Sequence, residues 1–198
     1  MVKKLIYLVL FLYCSSLFSI HAQTLIAKEK KDRYGYVDPS GKVKIPYEYS
    51  FVFTDTLKTI AFVSHEGKIK AIDRNNNRLF TVLNYDNGPD YESEGLFRIV
   101  DDTNNLIGFA DSKGQIIIQP AYFFVKPFSD GMAAFNEGGT EDTVNIPDNY
   151  TQITGGKWGY INKQGTIVFP AIFDEAKPFQ NQKAKVKIGG DTFLIHQQ

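Results

Sequence analysis

Apolar and polar positions alternate with a period of two over short stretches of this chain. Glycine, proline and acidic or amide residues punctuate them, which predicts strands and turns rather than helices. In an extended segment Trp158 and Tyr160 point to one face, and Gly159 and Ile161 to the other. Tyr34 and Tyr36 repeat that spacing, as do Ile107 and Phe109. Each stretch runs into an Asp or Asn with Gly three positions later: Asp38 to Gly41, Asp111 to Gly114, Asn162 to Gly165. The acid or amide side chain accepts backbone hydrogen bonds at the turn start and the glycine supplies a positive φ, so these are hairpin turns. The residues that follow are apolar and β-branched (Val43, Ile45; Ile116, Ile117, Ile118; Ile167, Val168), and Pro46, Pro120 and Pro170 are expected to end those second strands. A glycine inside a strand is costly unless something packs over it, so Gly35, Gly108 and Gly159 predict a ring or backbone close by.

The same pattern recurs as an internal repeat. Lys157-Trp158-Gly159-Tyr160-Ile161-Asn162 aligns without gaps on Arg33-Tyr34-Gly35-Tyr36-Val37-Asp38 and on Leu106-Ile107-Gly108-Phe109-Ala110-Asp111. A weaker copy keeps Asp73 but has Lys70 at the glycine position and Asn76 in the turn, where Asn tolerates positive φ. Residues 114–128 and 165–179 continue the agreement, ending in Lys126-Pro127-Phe128 and Lys177-Pro178-Phe179. Short alternating strands at 60–63, 96–100, 132–135 and 184–188 close the copies, and 192–196 fits a fifth first strand acting as a cap. The expectation is an all-β fold of antiparallel β-hairpin or meander repeats in an open curved array, with a small β-propeller as the alternative. The repeats run over about 32–66, 67–104, 105–156 and 157–190, with the cap strand in 191–198, all within a domain of residues 23–198.

The first residues add a targeting expectation. Lys3 and Lys4, an apolar stretch at 5–12, and small residues leading to Ala22 read as a secretory signal peptide, helical in the precursor and cleaved after Ala22. A transmembrane anchor needs about 20 apolar residues, and Cys14, Ser15, Ser16 and His21 interrupt this one. Tyr13 before Cys14 argues against a lipoprotein signal. The implied location is periplasmic or secreted, with no membrane span after processing. Cys14 is the single cysteine, so the mature chain would form no disulfide. Removing Lys3 and Lys4 from 22 basic side chains leaves 20 against 22 acidic ones, a net charge of −2. That balance gives no overall footprint for nucleic acid or anionic lipid.

With the Trp158-Gly159 pair, the acid-to-glycine turns, the proline-bearing second strands and the Lys-Pro-Phe corners in view, the sequence resembles the WG-repeat family of bacterial β-repeat proteins. The resemblance spans nearly the whole chain after the leader. Only the fourth copy has the literal pair; the first has Tyr34-Gly35, the third Ile107-Gly108, and the second has lost it. The resemblance implies an exported or surface-associated repeat module without a shared set of catalytic residues. The structural repeat positions are Tyr34, Gly35, Gly41, Gly108, Gly114, Trp158, Gly159 and Gly165.

Chemistry is sparse. His65 and His196 are far apart and have no cysteine near them, so no nucleophile-base pair or zinc set is indicated, and no cofactor is expected. The stretches 84–94 and 101–105 are acidic and oxygen-rich but lack EF-hand spacing, and read as solvated turns. An insertion at 136–154 carries Glu137, Glu141, Asp142, Asp148 and Tyr150. Loops on a rigid repeat scaffold commonly carry recognition, which makes these the candidate binding residues. Three functions follow: a non-catalytic binding or scaffold module for a protein or envelope glycan, a cell-wall or surface polysaccharide enzyme or accessory with a carboxylate pair, and a structural spacer. Convergence of Glu137, Asp142, Asp148, Asp174 or Glu175 in a deep cleft would favour the enzyme.

Overall fold

The computed structural model describes residues 24–142 and 152–197, and every regular element among them is a β-strand. The signal-peptide helix lies outside the described residues. Leu25–Lys30 (β1), Arg33–Val37 (β2) and Val43–Tyr49 (β3) run antiparallel in a first sheet. Two short strands follow, Phe51–Val52 (β4) and Thr56–Leu57 (β5). β5 turns back onto β1, while β4 opens a second unit by pairing with Ile60–His65 (β6). That unit continues through Lys68–Asp73 (β7) and Arg78–Val82 (β8). A small hairpin of Asn84–Tyr85 (β9) and Gly88–Pro89 (β10) leads to a third unit of Leu96–Val100 (β11), Ile107–Asp111 (β12) and Ile116–Tyr122 (β13). The fourth comprises Phe124–Val125 (β14), Met132–Asp142 (β15), Gln152–Asn162 (β16) and Ile167–Phe173 (β17). Glu175–Ala176 (β18), Lys183–Ile188 (β19) and Asp191–His196 (β20) form the fifth. Among the described residues no sheet closes on itself, and the units make an open array of antiparallel repeats.

Sequence repeats and sheets are out of phase by one strand. The strand that closes each repeat pairs with the first strand of the next: β6 with β7, β11 with β12, β15 with β16, β19 with β20. β1, whose polar sequence LIAKEK gave no strand signal, takes the opening place in the first unit. β20, the expected cap strand, pairs with β19 along its whole length.

The turns after the first long strands share one chemistry. Asp38 accepts the N–H groups of Ser40 and Lys42, each at 3.0 Å. Asp73, Asp111 and Asn162 hold the corresponding N–H groups in the other copies. Gly41, Gly114 and Gly165 have φ of 85°, 86° and 77°, and Asn76 has 66°.

The prolines correct the sequence reading: they do not end their strands. Tyr34 pairs with Tyr49 and Tyr36 with Ile45, so β3 carries two extra residues between these pairs and bulges around Pro46. The same shift separates Ile107–Tyr122 from Phe109–Ile118, and Trp158–Phe173 from Tyr160–Phe169. A bulge frees proline from the ladder bond it cannot donate. The glycines sit beneath it. A Cβ on Gly35 would lie 2.5 Å from the Ile45 carbonyl oxygen, one on Gly108 2.6 Å from the Pro120 nitrogen, and one on Gly159 2.6 Å from the Phe169 oxygen and 2.8 Å from the Phe135 ring.

Alternation along each strand then stacks the units. The Tyr36 face of the first packs on Ala61, Val63 and Ile72 of the second. Ile69 and Ala71 meet Phe97, Ile99 and Ala110 of the third. Ile107 and Phe109 meet Ala133, Phe135 and Ile161 of the fourth, and Trp158 and Tyr160 meet Ala184 and Val186 of the fifth. The aromatic positions of the repeat are thus core, and the polar tips of Tyr36 and Tyr160 donate to the carbonyls of Thr54 and Lys177, each at 2.6 Å.

Candidate functional site

The insertion in the fourth unit is not a loop over its described length. β15 and β16 extend past the sheet as a two-stranded ribbon whose register runs from Met132–Asn162 to Asp142–Gln152. Gly138, Gly155 and Gly156, with φ of 75°, 71° and 65°, reshape the backbone where the ribbon leaves the sheet. Asn136 pins that point: its side chain is buried, donates to the Gly155 carbonyl at 3.2 Å and accepts the Gly139 N–H at 3.0 Å. Glu137 and Glu141 are exposed on the ribbon. Asp142 ends β15, whereas Asp148 and Tyr150 lie outside the described residues.

At the ribbon's base an open groove of about 390 Å³ runs between the fourth and fifth units. Its apolar wall is Phe124, Ile153 and the edge of Trp158; Phe124 meets the indole at 5.9 Å, ring edge to face. The Lys126 ammonium lies 4.4 Å from the centre of that indole and donates to the Ala176 carbonyl at 2.9 Å. Burial, and the neighbouring Lys177 charge, push the Lys126 ammonium below its ordinary pKa. Asp174 and Glu175 complete the rim. Asp174 pairs with Lys157 at 2.5 Å and accepts the Gly189 N–H, and both bonds hold its carboxyl below the usual range. Glu175 pairs with Lys187 at 2.6 Å, with the same effect. Of the candidate carboxylates with described side chains, Asp174 and Glu175 line the groove and Glu137 and Glu141 do not.

Sequence reasoning singled out the insertion and Trp158 but missed the groove between them. Lys126 and Lys177 were visible as the recurring Lys-Pro-Phe corners, yet the fold of Lys126 over the tryptophan depends on β14 and β16 flanking β15 in one sheet, and its bond to Ala176 on how the fifth unit stacks on the fourth. Of the two acidic stretches, 101–105 is an exposed turn as expected, while 84–94 departs from that at Asp90. Asp90, in the stretch 84–94, is buried and binds Arg98 through two oxygens, at 2.5 and 3.0 Å. Asp102 takes Lys68, Lys70 and Thr81, and their hydrogen bonds, that of Lys68 first, hold it well below the usual carboxylate range. His65 contacts Arg78, ring nitrogen to guanidinium, at 2.7 Å.

The family model of the WG containing repeat matches residues 34–68, 107–140 and 158–190, together just over half of the chain. No curated protein and no solved structure matches. Each matched segment opens on the strand whose glycine lies under a proline bulge, and residues 69–106, which lack that device, are unmatched. With the motif, its register and the family model in agreement, the chain belongs to the WG-repeat family.

Proposed function

We propose that this protein is an exported, non-catalytic binding module in which the stacked repeats are the scaffold and the ribbon of the fourth unit, with the groove at its base, is the recognition element. The observation that carries this reading is the ribbon itself. It projects from the one unit whose central strands are 11 residues long, and it leaves the sheet beside a groove that combines an indole edge, a lysine and two carboxylates. Loops and projections on a rigid repeat are where recognition evolves at least cost to the core. A protein segment or an envelope glycan fits such a mixed surface. The carboxylates favour binding over glycoside chemistry. A general acid needs a raised pKa, whereas Asp174 and Glu175 are both held low by lysines.

The test is capture from an envelope extract by the full mature chain and by a variant in which 142–151 are replaced by a short Gly-Ser turn, leaving Asn136, Gly139, Ile153 and Gly155 in place. A ligand retained by the first and lost by the second, with equal unfolding midpoints, supports the reading; equal retention moves recognition to the repeat faces. Export is checked separately by the N-terminus of the accumulated native protein, expected near Gln23. An intact Met1 overturns it.

A further inference from the structure

The outward face of the last sheet departs from its counterpart in the fourth unit. Short-strand pairing fixes the equivalence: Val125 faces Phe135 and Ala176 faces Val186, while the N–H groups of Lys126 and Lys177 donate to the carbonyls of Ala134 and Lys185. Lys183 and Lys185 therefore occupy the places of Met132 and Ala134. The latter pair is buried beneath the fifth unit; the lysines are exposed. Lys177 occupies the place of Lys126, whose ammonium is covered by the following unit, and Lys177 too is exposed. None of the three lysines has an ion-pair partner among the described residues, since Glu175 is taken by Lys187 and Asp174 by Lys157. They converge on an open groove of about 560 Å³ with the amides Gln180 and Asn181 and the exposed Leu194.

We infer that this face binds a linear polyanion, an envelope polymer bearing phosphate or sulfate groups. Lys183 and Lys185 alternate on one face of β19, which spaces them roughly 6.6 Å apart along the strand. Their ammonium groups are flexible point charges that answer charge density rather than the planar geometry an arginine fork selects. Gln180 and Asn181 add neutral donors, and Leu194 offers contact to the links between charges. The rest of the mature chain is net acidic by sequence count, so no overall positive charge competes with this face for a polyanion. The inference does not depend on the ribbon; the groove at the ribbon's base shares Lys177 with this face, so Lys183 and Lys185 are the residues that belong to this face alone.

The experiment titrates the full mature chain with long-chain inorganic polyphosphate and with dextran sulfate at low salt. Lys177→Gln/Lys183→Gln/Lys185→Gln is compared with Lys28→Gln/Lys42→Gln/Lys113→Gln, which changes net charge equally at exposed positions of the first and third units. The first variant is expected to weaken binding by about tenfold or more and to flatten its salt dependence, because each lysine lost is one fewer counterion displaced. The second is expected to shift binding by less than about twofold. The ribbon-shortened variant binds as the parent does, whatever becomes of its own ligand. Equal weakening by both triple variants, or no binding of either polymer by the parent, overturns the inference. All six lysines are exposed, so folding is retained and is verified by equal unfolding midpoints.

Discussion

In the first, third and fourth units the last long strand (β3, β13, β17) bulges at a proline over a glycine, bends, and hands over to a separate two-residue strand that begins the next sheet. The second unit has none of this. Lys70 stands where the glycine would be, no proline follows the turn, and β8 pairs in continuous register with β7 from Ile69–Val82 to Ala71–Phe80. β8 then pairs directly with β11 on its other side, so the second and third units share one seven-stranded sheet. Glycine, proline and bulge are thus a single device, lost together. What the device does is turn the chain: where it is present the next unit starts as a new sheet, and where it is absent the sheet runs through. The second unit has a different anchor at the same junction. Its β9–β10 hairpin folds Asp90 onto Arg98, whose guanidinium also donates to the Val125 carbonyl at 3.3 Å across to the fourth unit.

The most damaging way to probe the contrast is to place the same side chain at the two equivalent positions. Gly108→Val pushes a branched side chain into the backbone of Ile118, Gln119 and Pro120, which cannot move without undoing the bulge. The expected loss exceeds about 4 kcal/mol, enough to unfold many domains of this size. Lys70→Val meets no bulge and gives up only partly exposed bonds to Asp102 and Thr81, a cost of about 1 kcal/mol. Similar unfolding midpoints for the two variants would break the link between glycine and bulge.

Next in size is the substitute anchor. Asp90→Ala leaves the Arg98 guanidinium buried without its carboxylate, and is expected to cost about 3–5 kcal/mol. Asp90→Ala/Arg98→Met recovers much of that, because an apolar side chain suits the position, which is Ala134 in the fourth unit. Denaturant titration decides it: a double variant as unstable as the single one means the pair is not what holds this junction.

How much of this was legible follows from how local each signal is. The turns were readable because an acid or amide and a glycine three residues apart carry their own hydrogen bonds. The close contacts at Gly35, Gly108 and Gly159 were readable because a strand glycine needs a reason. Pro46, Pro120 and Pro170 were misread because a proline without its partner strand looks like an end, and only the partner's register reveals a bulge. The one-strand phase shift was hidden for a similar reason: alternation names a strand's faces but not its neighbours. A recurring Ser-acid-Gly, Ser93-Glu94-Gly95 and Ser129-Asp130-Gly131, went unread, although Glu94 accepts the Gly131 N–H at 3.0 Å and Asp130 that of Gln182. Of the candidate site, the insertion's place was visible and its stems were not, since their glycines and exposed acids mask the alternation.

The ribbon itself divides into scaffold and surface more finely than its sequence suggested. Asn136, at its root, is buried with both ends of its carboxamide bonded, so Asn136→Ala orphans the Gly155 carbonyl and the Gly139 N–H at a cost of about 1–3 kcal/mol. Glu141→Ala, five residues along, is expected within about 0.5 kcal/mol of the parent. Thermal unfolding that ranks them the other way would place the ribbon's outer part in the core.

The smallest effect compares the turns by charge. Asp38 and Asp73 start the turns of the first two copies, and Asn162 starts that of the fourth with the same backbone bonds but nothing to titrate. The Ser40 hydroxyl and the N–H groups of Lys42 and Ser40 hold Asp38 below the usual carboxylate range. Partial burial pushes Asp73 up, but its bonds from Asn77 and Asn75 outweigh that and its pKa is lowered as well. A carboxylate whose pKa is lowered by folding binds fewer protons folded than unfolded. Its stabilisation is therefore complete above the unfolded value of about 3.9 and is lost as pH falls through the folded one. Asp38→Asn/Asp73→Asn should remove that charge-linked share at neutral pH, where the parent has it in full, and so soften the loss of stability below about pH 4. Asn162→Asp should steepen it. Glu94, Asp101, Asp174 and Glu175 are also held low and keep the background acid-sensitive, so each turn is seen only as a difference between variants. Denaturant midpoints at pH 7 and pH 3 provide that difference, and an Asn162→Asp chain no more acid-sensitive than its parent would mean that the turns are held by their backbone alone.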